Sequence, residues 1–266
     1  IIAIINGGVI VGGFGNGMLS LDNCTAISTL GSFVVGEDGR GMVRLQNGTL
    51  LRLFSEDGSI PGNIQNGSLI MEEGTTLNCE IGLDVQTNGE LIGSGDISSP
   101  DTYVRGRIIA NAGLLTGFRF TDASGLGNFY GSHESLSGTP EYALTICNNV
   151  QVGGDFAIDV GGEAYIDGGC IVDPSDPGSL QVGDVLSILT AGTLNGAYSV
   201  WFVPAINDDA YLSPVTPALT GTGNDASLEV RDLGTTFGFN NDSFGDGESG
   251  TPVAVIVDDF DGDTID

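Results

Sequence analysis

Four short segments of the chain share one pattern, in which an apolar strand, a turn containing Asn or Gly, and a second apolar strand follow one another. The segments are VRLQNGTLLRL at 43–53, GNIQNGSLIM at 62–71, LDVQTNGELIG at 83–93 and RIIANAGLLTGF at 107–118. Their turn glycines, Gly48, Gly67, Gly89 and Gly113, are separated by 19, 22 and 24 residues. An irregular period of this size, with almost no helix signal, is typical of a solenoid in which each repeat is one coil. Hairpin arrays use the same turns, but the apolar residues on both sides of each corner favour the solenoid.

Stacking of coils would place equivalent residues above one another, because one coil cannot bury its own inward face. The alignment predicts two columns, an edge column of Asn47, Asn66, Asn88 and Asn111 and an inward column of Leu50, Leu69, Leu91 and Leu114. We interpret the asparagines as turn residues that tolerate positive φ.

The charge of the chain is strongly acidic and excludes several classes of partner. The sequence has 7 basic residues, all Arg, against 35 acidic ones, which gives a net charge of −28. Binding to nucleic acid or to an anionic membrane surface requires clustered Lys or Arg. No apolar stretch approaches the roughly 20 residues of a membrane helix. We therefore expect no nucleic-acid partner and no membrane insertion. The absence of an initiating Met and of a basic leader leads us to expect an internal or processed start.

The four cysteines, Cys24, Cys79, Cys147 and Cys170, show no CxxC spacing, and the only histidine is His133. A zinc site is therefore disfavoured, and two disulfides in an oxidising compartment are predicted, with buried free thiols as the alternative. Three connectivities are open. Cys147 with Cys170 is attractive because their separation of 23 residues is close to the repeat length.

The sequence pattern changes at Asp173, where a DPSDP junction is followed by the segment SLQVGDVLSILTAGTLNGAYSVWFVP. Its G-D-x-x-x-I-L-T-A-G-x-x-x-G-x-Y run resembles the last passage of autotransporter-type passenger proteins. The matching residues are Gly183, Asp184, Ile188, Leu189, Thr190, Ala191, Gly192, Gly196 and Tyr198. The resemblance covers roughly residues 150–203. It implies an extracellular, right-handed parallel β-helix with an adhesive, scaffold or structural role, and it supplies no catalytic residues.

Short apolar strands after residue 200 suggest a small β-sandwich that caps the solenoid, since an open end would expose edge strands. The predicted organisation is thus a parallel β-helix at 1–172, a β-sandwich-like cap at 173–243, and a linker with an acidic terminal segment at 244–266.

The acidic terminus has the D-x-D-G-D spacing of calcium loops at Asp259, Asp261 and Asp263, with Asp266 as a further candidate ligand. The strand and loop resemble the opening of an FG-GAP repeat, which implies calcium as a ligand. A solvated acidic tail is the alternative.

The sequence gives little support for catalytic activity, because no carboxylate pair stands out and His133 lies in a Ser- and Gly-rich loop. The arginines are expected to be ion-paired surface residues. Four Asn-x-Ser/Thr sequons, at Asn23, Asn47, Asn66 and Asn241, are candidate glycosylation sites.

The sequence as a whole predicts an all-β, non-enzymatic structural protein that is extracellular or on the cell surface, as a subunit of a fibre, filament or sheath. Self-association into a homopolymer is expected, and the apolar start, Ile1, Ile2, Ile4 and Ile5, is the candidate contact. The alternatives are an adhesin or glycan-binding passenger, with extracellular glycans as partners, and a polysaccharide-active β-helix enzyme.

Overall fold

Alternation of buried and exposed side chains along short segments produces strands throughout the computed structural model. The structure describes residues 2–5, 7–24, 26–54, 58–131, 143–206, 210–215 and 224–233. These residues form twenty-two strands and one 3₁₀ turn, Pro177–Ser179, which confirms the all-β prediction. They belong to a compact unit at 1–233, whereas a second unit at 234–266 lies outside the described residues. Among the described residues, no helix is long and apolar enough to cross a membrane.

Parallel pairing arranges the strands in three stacks with eight members each. Stack 1 contains β2 (Val9–Val11), β5 (Phe33–Val35), β8 (Gly62–Met71), β10 (Leu83–Gly93), β12 (Asp101–Val104), β15 (Asn128–Gly131), β17 (Ile158–Ile166) and β19 (Val185–Gly196). Stack 2 contains β3 (Gly17–Asp22), β6 (Gly41–Gln46), the ends of β8 and β10, β13 (Arg107–Asn111), β16 (Leu144–Val150), β18 (Gly169–Pro174) and β20 (Val200–Phe202). Stack 3 contains β1 (Ile2–Ile5), β4 (Ala26–Leu30), β7 (Leu50–Phe54), β9 (Thr76–Cys79), β11 (Gly95–Ser98), β14 (Phe118–Thr121) and the starts of β17 and β19.

The chain visits stacks 3, 1 and 2 in turn and then rises to the next level, an order that is compatible with a β-solenoid. Since neighbouring strands lie about 4.8 Å apart, eight levels extend for about 34 Å. The four longest strands each continue from one stack into the next, so they form the joints between stacks.

Inward side chains form apolar columns along each stack. In stack 2 the column runs through Val43, Leu69, Leu91 and Ile108, each at most 1% exposed. In stack 3 the inward column consists of Leu51, Leu77, Ile97, Phe120, Val160 and Ala191. Burial of such columns between levels is the main stabilising contribution available to this architecture.

Glycines form a column of their own at the corner between stacks 1 and 2. Gly17, Gly41, Gly67 and Gly89 lie above one another in register. A Cβ atom added to any of them would lie 2.0–2.3 Å from a backbone atom of an adjacent turn or level. The corner therefore admits no side chain, and it is concave.

The corner between stacks 2 and 3 uses buried threonine at two successive levels. Thr49 and Thr75, both 0% exposed, donate hydrogen bonds to the carbonyls of Gln46 and Glu72 at 2.6 Å. The Thr76 N–H then donates to the Thr49 carbonyl at 2.9 Å, which ties one corner to the next.

The four asparagines predicted to form one column lie at three different places. Asn66 and Asn88 are in register at the glycine corner, but Asn47 follows β6 and lies one level above Asn23. Asn111 instead pairs with Asn148. Positive φ is found at Asn23, Asn47 and Asn149, so the prediction about turn conformation holds for Asn47 alone among the four.

The predicted leucine column is half wrong for the same reason. Leu69 and Leu91 are inward and in register, whereas Leu50 is only half-buried and Leu114 is 72% exposed. Two different corners carry an Asn-Gly or Ala-Gly turn, and aligning their glycines superimposes residues from different stacks.

Parallel stacking continues past residue 172, which lies inside β18, and it ends at β20. Two further strands, β21 (Ala210–Pro214) and β22 (Asp225–Asp232), pair antiparallel with each other, and β22 pairs antiparallel with β19. They extend the existing sheet. A second sheet facing it is not found in the described part of the chain, so the sandwich cap stays a prediction.

Candidate functional site

The N-terminal level of the stacks presents strand edges. β1, β2 and β3 each pair with a single strand, β4, β5 and β6 respectively. Within the described ranges no other strand covers their outer edges. An uncovered edge offers a row of N–H and C=O groups to a further strand. Of the predicted contact residues, Ile2, Ile4 and Ile5 lie in β1, and Ile1 lies outside the described residues.

The C-terminal end is more fully closed. β22 covers the last strand of stack 3, and the Tyr198 and Trp201 rings meet edge to face at 5.0 Å between centroids. Tyr198 is 5% exposed, its hydroxyl lies 3.3 Å from Thr145 Oγ1, and burial, reinforced by Cys170 and Cys147, raises its pKa. At this end an antiparallel strand covers stack 3 and Trp201 packs against the core, whereas stacks 1 and 2 end without a further described strand.

The outer face of stack 1 carries a column of stacked tyrosines, Tyr103, Tyr130 and Tyr165. Ring centroids are 5.1 and 5.2 Å apart, with interplanar angles of 14° and 12°. Beside them, Asn128 Nδ2 donates to Asp101 Oδ1 at 3.0 Å. Partial desolvation, together with Asp101, the two flanking tyrosines and Glu163, raises the pKa of Tyr130 to about 12.

Sequence reasoning did not find this column, although a signal for it exists. Each tyrosine is the third residue of a polar-x-Tyr triplet, D-T-Y at 101–103, N-F-Y at 128–130 and E-A-Y at 163–165. The triplets are 27 and 35 residues apart, and that irregular spacing conceals them.

Most arginines are ion-paired, as predicted. The pairs are Arg44–Glu72, Arg105–Asp84, Arg107–Glu90, Arg119 with Asp96 and Asp159, and Arg231–Glu229. Arg105–Asp84 is the least exposed pair, with Arg105 Nη2 donating to Asp84 Oδ2 at 2.6 Å. Arg40 and Arg52 are exposed and have no ion pair in the described residues.

All four cysteines are free thiols, so the predicted disulfides are absent. Cys170 is in register with Thr145 and Cys147 with Val172, which offsets the two cysteines diagonally on adjacent strands. Strand geometry then separates their Cα atoms by about 8 Å, beyond the range of about 4.4–6.8 Å that a disulfide spans. Cys24 precedes β4, whereas Cys79 ends β9 two levels away. Burial raises the pKa of Cys79 and, together with the neighbouring Cys147, that of Cys170.

The remaining candidate residues are distributed over the described and undescribed parts. Asn23 and Asn47 are exposed, and Asn66 Nδ2 donates to the Gly39 carbonyl at 3.0 Å. The residues that lie outside the described residues are Asn241, His133 and the predicted calcium ligands Asp259, Asp261, Asp263 and Asp266. Within the described part of the chain, no group of three His, Cys, Asp or Glu residues is placed to hold a metal ion.

Comparison of the chain with protein-family models, with curated proteins and with solved structures found no match. The resemblance of the segment around residues 183–198 to autotransporter-type passengers therefore stays a hypothesis. In the structure this segment forms β19 and the turn after it, at the last parallel level of stacks 3 and 1.

Proposed function

We propose that this chain is a structural segment of an extracellular fibre, filament or sheath, built as a right-handed parallel β-helix. The observation that carries the proposal is the combination of three in-register parallel stacks with an uncovered strand edge at the N-terminal level. Stiffness follows from this arrangement, because strands in all three stacks form hydrogen bonds between each level and the next.

Assembly would proceed through strand edges. The edges of β1, β2 and β3 can accept strands from a neighbouring copy, and stacks 1 and 2 end in 193–196 and Val200–Phe202, which no further described strand covers. Contacts between such unlike ends produce open filaments when the repeat does not close into a ring. Self-association is thus the proposed partnership, and the acidic terminus, with calcium bound, is the proposed joint.

A net charge of −28 suits an exposed, non-nucleic-acid-binding body, because like charges keep laterally adjacent fibres apart. Location outside the cell or on its surface is part of the proposal.

Electron microscopy of the protein in calcium and then in chelator tests the proposal. We expect regular filaments in calcium and shorter ones after chelation. Deletion of residues 1–5 should abolish filaments, and deletion of the equally long linker segment 245–249 should leave them unchanged. Isolated rods about 34 Å long under every condition would exclude a fibre function.

The polysaccharide-active alternative has a candidate location in a small cleft of about 200 Å³, which is lined by Glu73, Asp96, Asp155 and Arg119, among others. Arg119 forms two ion pairs. Its Nη1 lies 3.7 Å from Asp96 Oδ1, and its Nε lies 3.1 Å from Asp159 Oδ2. Release of reducing ends or unsaturated products from uronans by the protein would establish this activity.

A further inference from the structure

A groove of about 580 Å³ runs along the concave glycine corner between stacks 1 and 2. Its floor is formed by Gly17, Gly41, Gly67 and Gly89, one from each of four successive levels. Because backbone atoms exclude a Cβ at each of these positions, the floor is bare backbone at every level. The volume lies within the range of about 300–1,000 Å³ that is common for ligand sites.

One wall of the groove holds amide and guanidinium groups. It consists of Asn16, Arg40, Asn66 and Asn88, each of which immediately precedes one of the floor glycines in the sequence. Amides can both donate and accept hydrogen bonds, and guanidinium groups donate several. Arg40 is exposed and free of ion pairs among the described residues, so its donors are available to a ligand.

The opposite wall changes from apolar to polar along the groove. Met18 and Met42, 67% and 40% exposed, lie at the first two levels. Ser68, Glu90 and Arg107 follow, with Ser68 Oγ donating to Glu90 Oε2 at 2.8 Å and Arg107 Nη1 lying 3.4 Å from Glu90 Oε1. Two arginines and one glutamate leave the groove with a formal charge of only +1.

We propose that this groove binds a linear, uncharged polysaccharide. Sugar rings present hydroxyl groups, which need both donors and acceptors, and apolar C–H faces, which pack against flexible methionine side chains. A polyanion would be repelled by the surrounding protein, and a single net positive charge is too little to hold one. A floor that repeats about every 4.8 Å favours a ligand that is itself an extended repeat.

This inference goes beyond the proposed fibre function, since glycan binding needs one copy of the chain and filament formation does not need the groove.

Native gel electrophoresis through hydroxyethyl cellulose, galactomannan or dextran tests glycan binding, with pectate and alginate as charged comparisons. We expect retardation by at least one neutral polymer, and we expect the double variant Arg40→Ala and Asn88→Ala to weaken binding tenfold or more.

The matched control is the double variant Arg52→Ala and Asn78→Ala, which removes the same residue types from register partners in stack 3. This control should bind like the unchanged protein, and far-ultraviolet circular dichroism should show that both variants remain folded. Three results would each overturn the proposal. These are binding to none of the neutral polymers, stronger binding to pectate or alginate, and equal loss of binding in the groove and control variants.

Discussion

Thr49 shows how one buried side chain fixes the conformation of a corner. Its hydroxyl lies 2.6 Å from the Gln46 carbonyl and 3.1 Å from the Leu21 carbonyl, and it accepts from the Cys24 N–H at 3.4 Å. The side chain therefore links two levels as well as the two ends of its own turn. The Gln46 carbonyl also accepts from the backbone N–H groups of Thr49 and Asn23, whereas the Cys24 N–H uses the Thr49 hydroxyl as its acceptor.

Replacement of Thr49 by Val should destabilise the protein by about 1–3 kcal/mol, because the isosteric side chain removes the acceptor of the Cys24 N–H and the hydroxyl that links the Gln46 and Leu21 carbonyls. Urea unfolding followed by circular dichroism measures the change. Thr76→Val, at a partly exposed position of β9, is the control and should change stability by less than about 0.5 kcal/mol. Equal effects of the two substitutions would show that the corner hydrogen bonds are unimportant.

The tyrosine column predicts sensitivity to alkaline pH. The pKa of Tyr130 is about 12 in the folded protein and about 10 in an unfolded chain. Between these values the folded state keeps a proton that the unfolded state has lost, so stability is complete below about pH 10 and falls as pH rises toward 12.

Tyr130→Phe keeps the stacked ring and removes this titration, so the loss of stability between pH 10 and 12 should become smaller. Thermal unfolding at several pH values measures stability, and tyrosinate absorbance follows the titration. Tyr211→Phe, at an exposed position in β21, serves as the control. An unchanged pH profile in Tyr130→Phe would contradict the assignment.

At the scale of strands and corners, the glycine column sets how closely levels approach. Gly67→Ala would place a Cβ 2.0 Å from the Gly41 carbonyl oxygen, which backbone atoms cannot easily avoid. We expect destabilisation on the order of 1–3 kcal/mol or more, as for other overpacked positions.

Gly15→Ala is the matched control, because no atom lies within 4 Å of a Cβ added there. Denaturant unfolding of both variants measures the difference. Similar stability of the two variants would show that the corner relaxes around a side chain, and the groove floor would then be less rigid than the structure indicates.

The same corners explain how much of the fold could be predicted. Strand content and a stacked repeat were predictable, because alternating burial and Asn-Gly turns are local signals. The register was predictable only where aligned segments belong to the same corner, as for Leu69 and Leu91. Leu114 was misplaced because its turn closes another corner, and local sequence does not distinguish corners. The groove was not predictable, since it depends on glycines from four levels lying in register.

At the scale of the whole molecule, the two ends of the stacks differ in chemistry. At the C-terminal end β22 covers stack 3 and the Tyr198 and Trp201 rings pack together, whereas at the N-terminal end no described strand covers β1, β2 or β3. An asymmetric body of this kind has a direction, so any filament formed by joining unlike ends is polar. The deletion of residues 1–5 tests the N-terminal edge and leaves the residues of the C-terminal end unchanged.

The number of residues that the chain uses between two levels does not change the distance between those levels. From Glu90 to Arg107 the chain uses 17 residues to reach the next level, and from Arg107 to Leu144 it uses 37, yet both pairs of residues are in register. Each step advances the body by about 4.8 Å. Insertions at corners can therefore decorate the surface while the rod keeps its pitch. In the proposed fibre, copies with loops of very different size would therefore keep one spacing between levels.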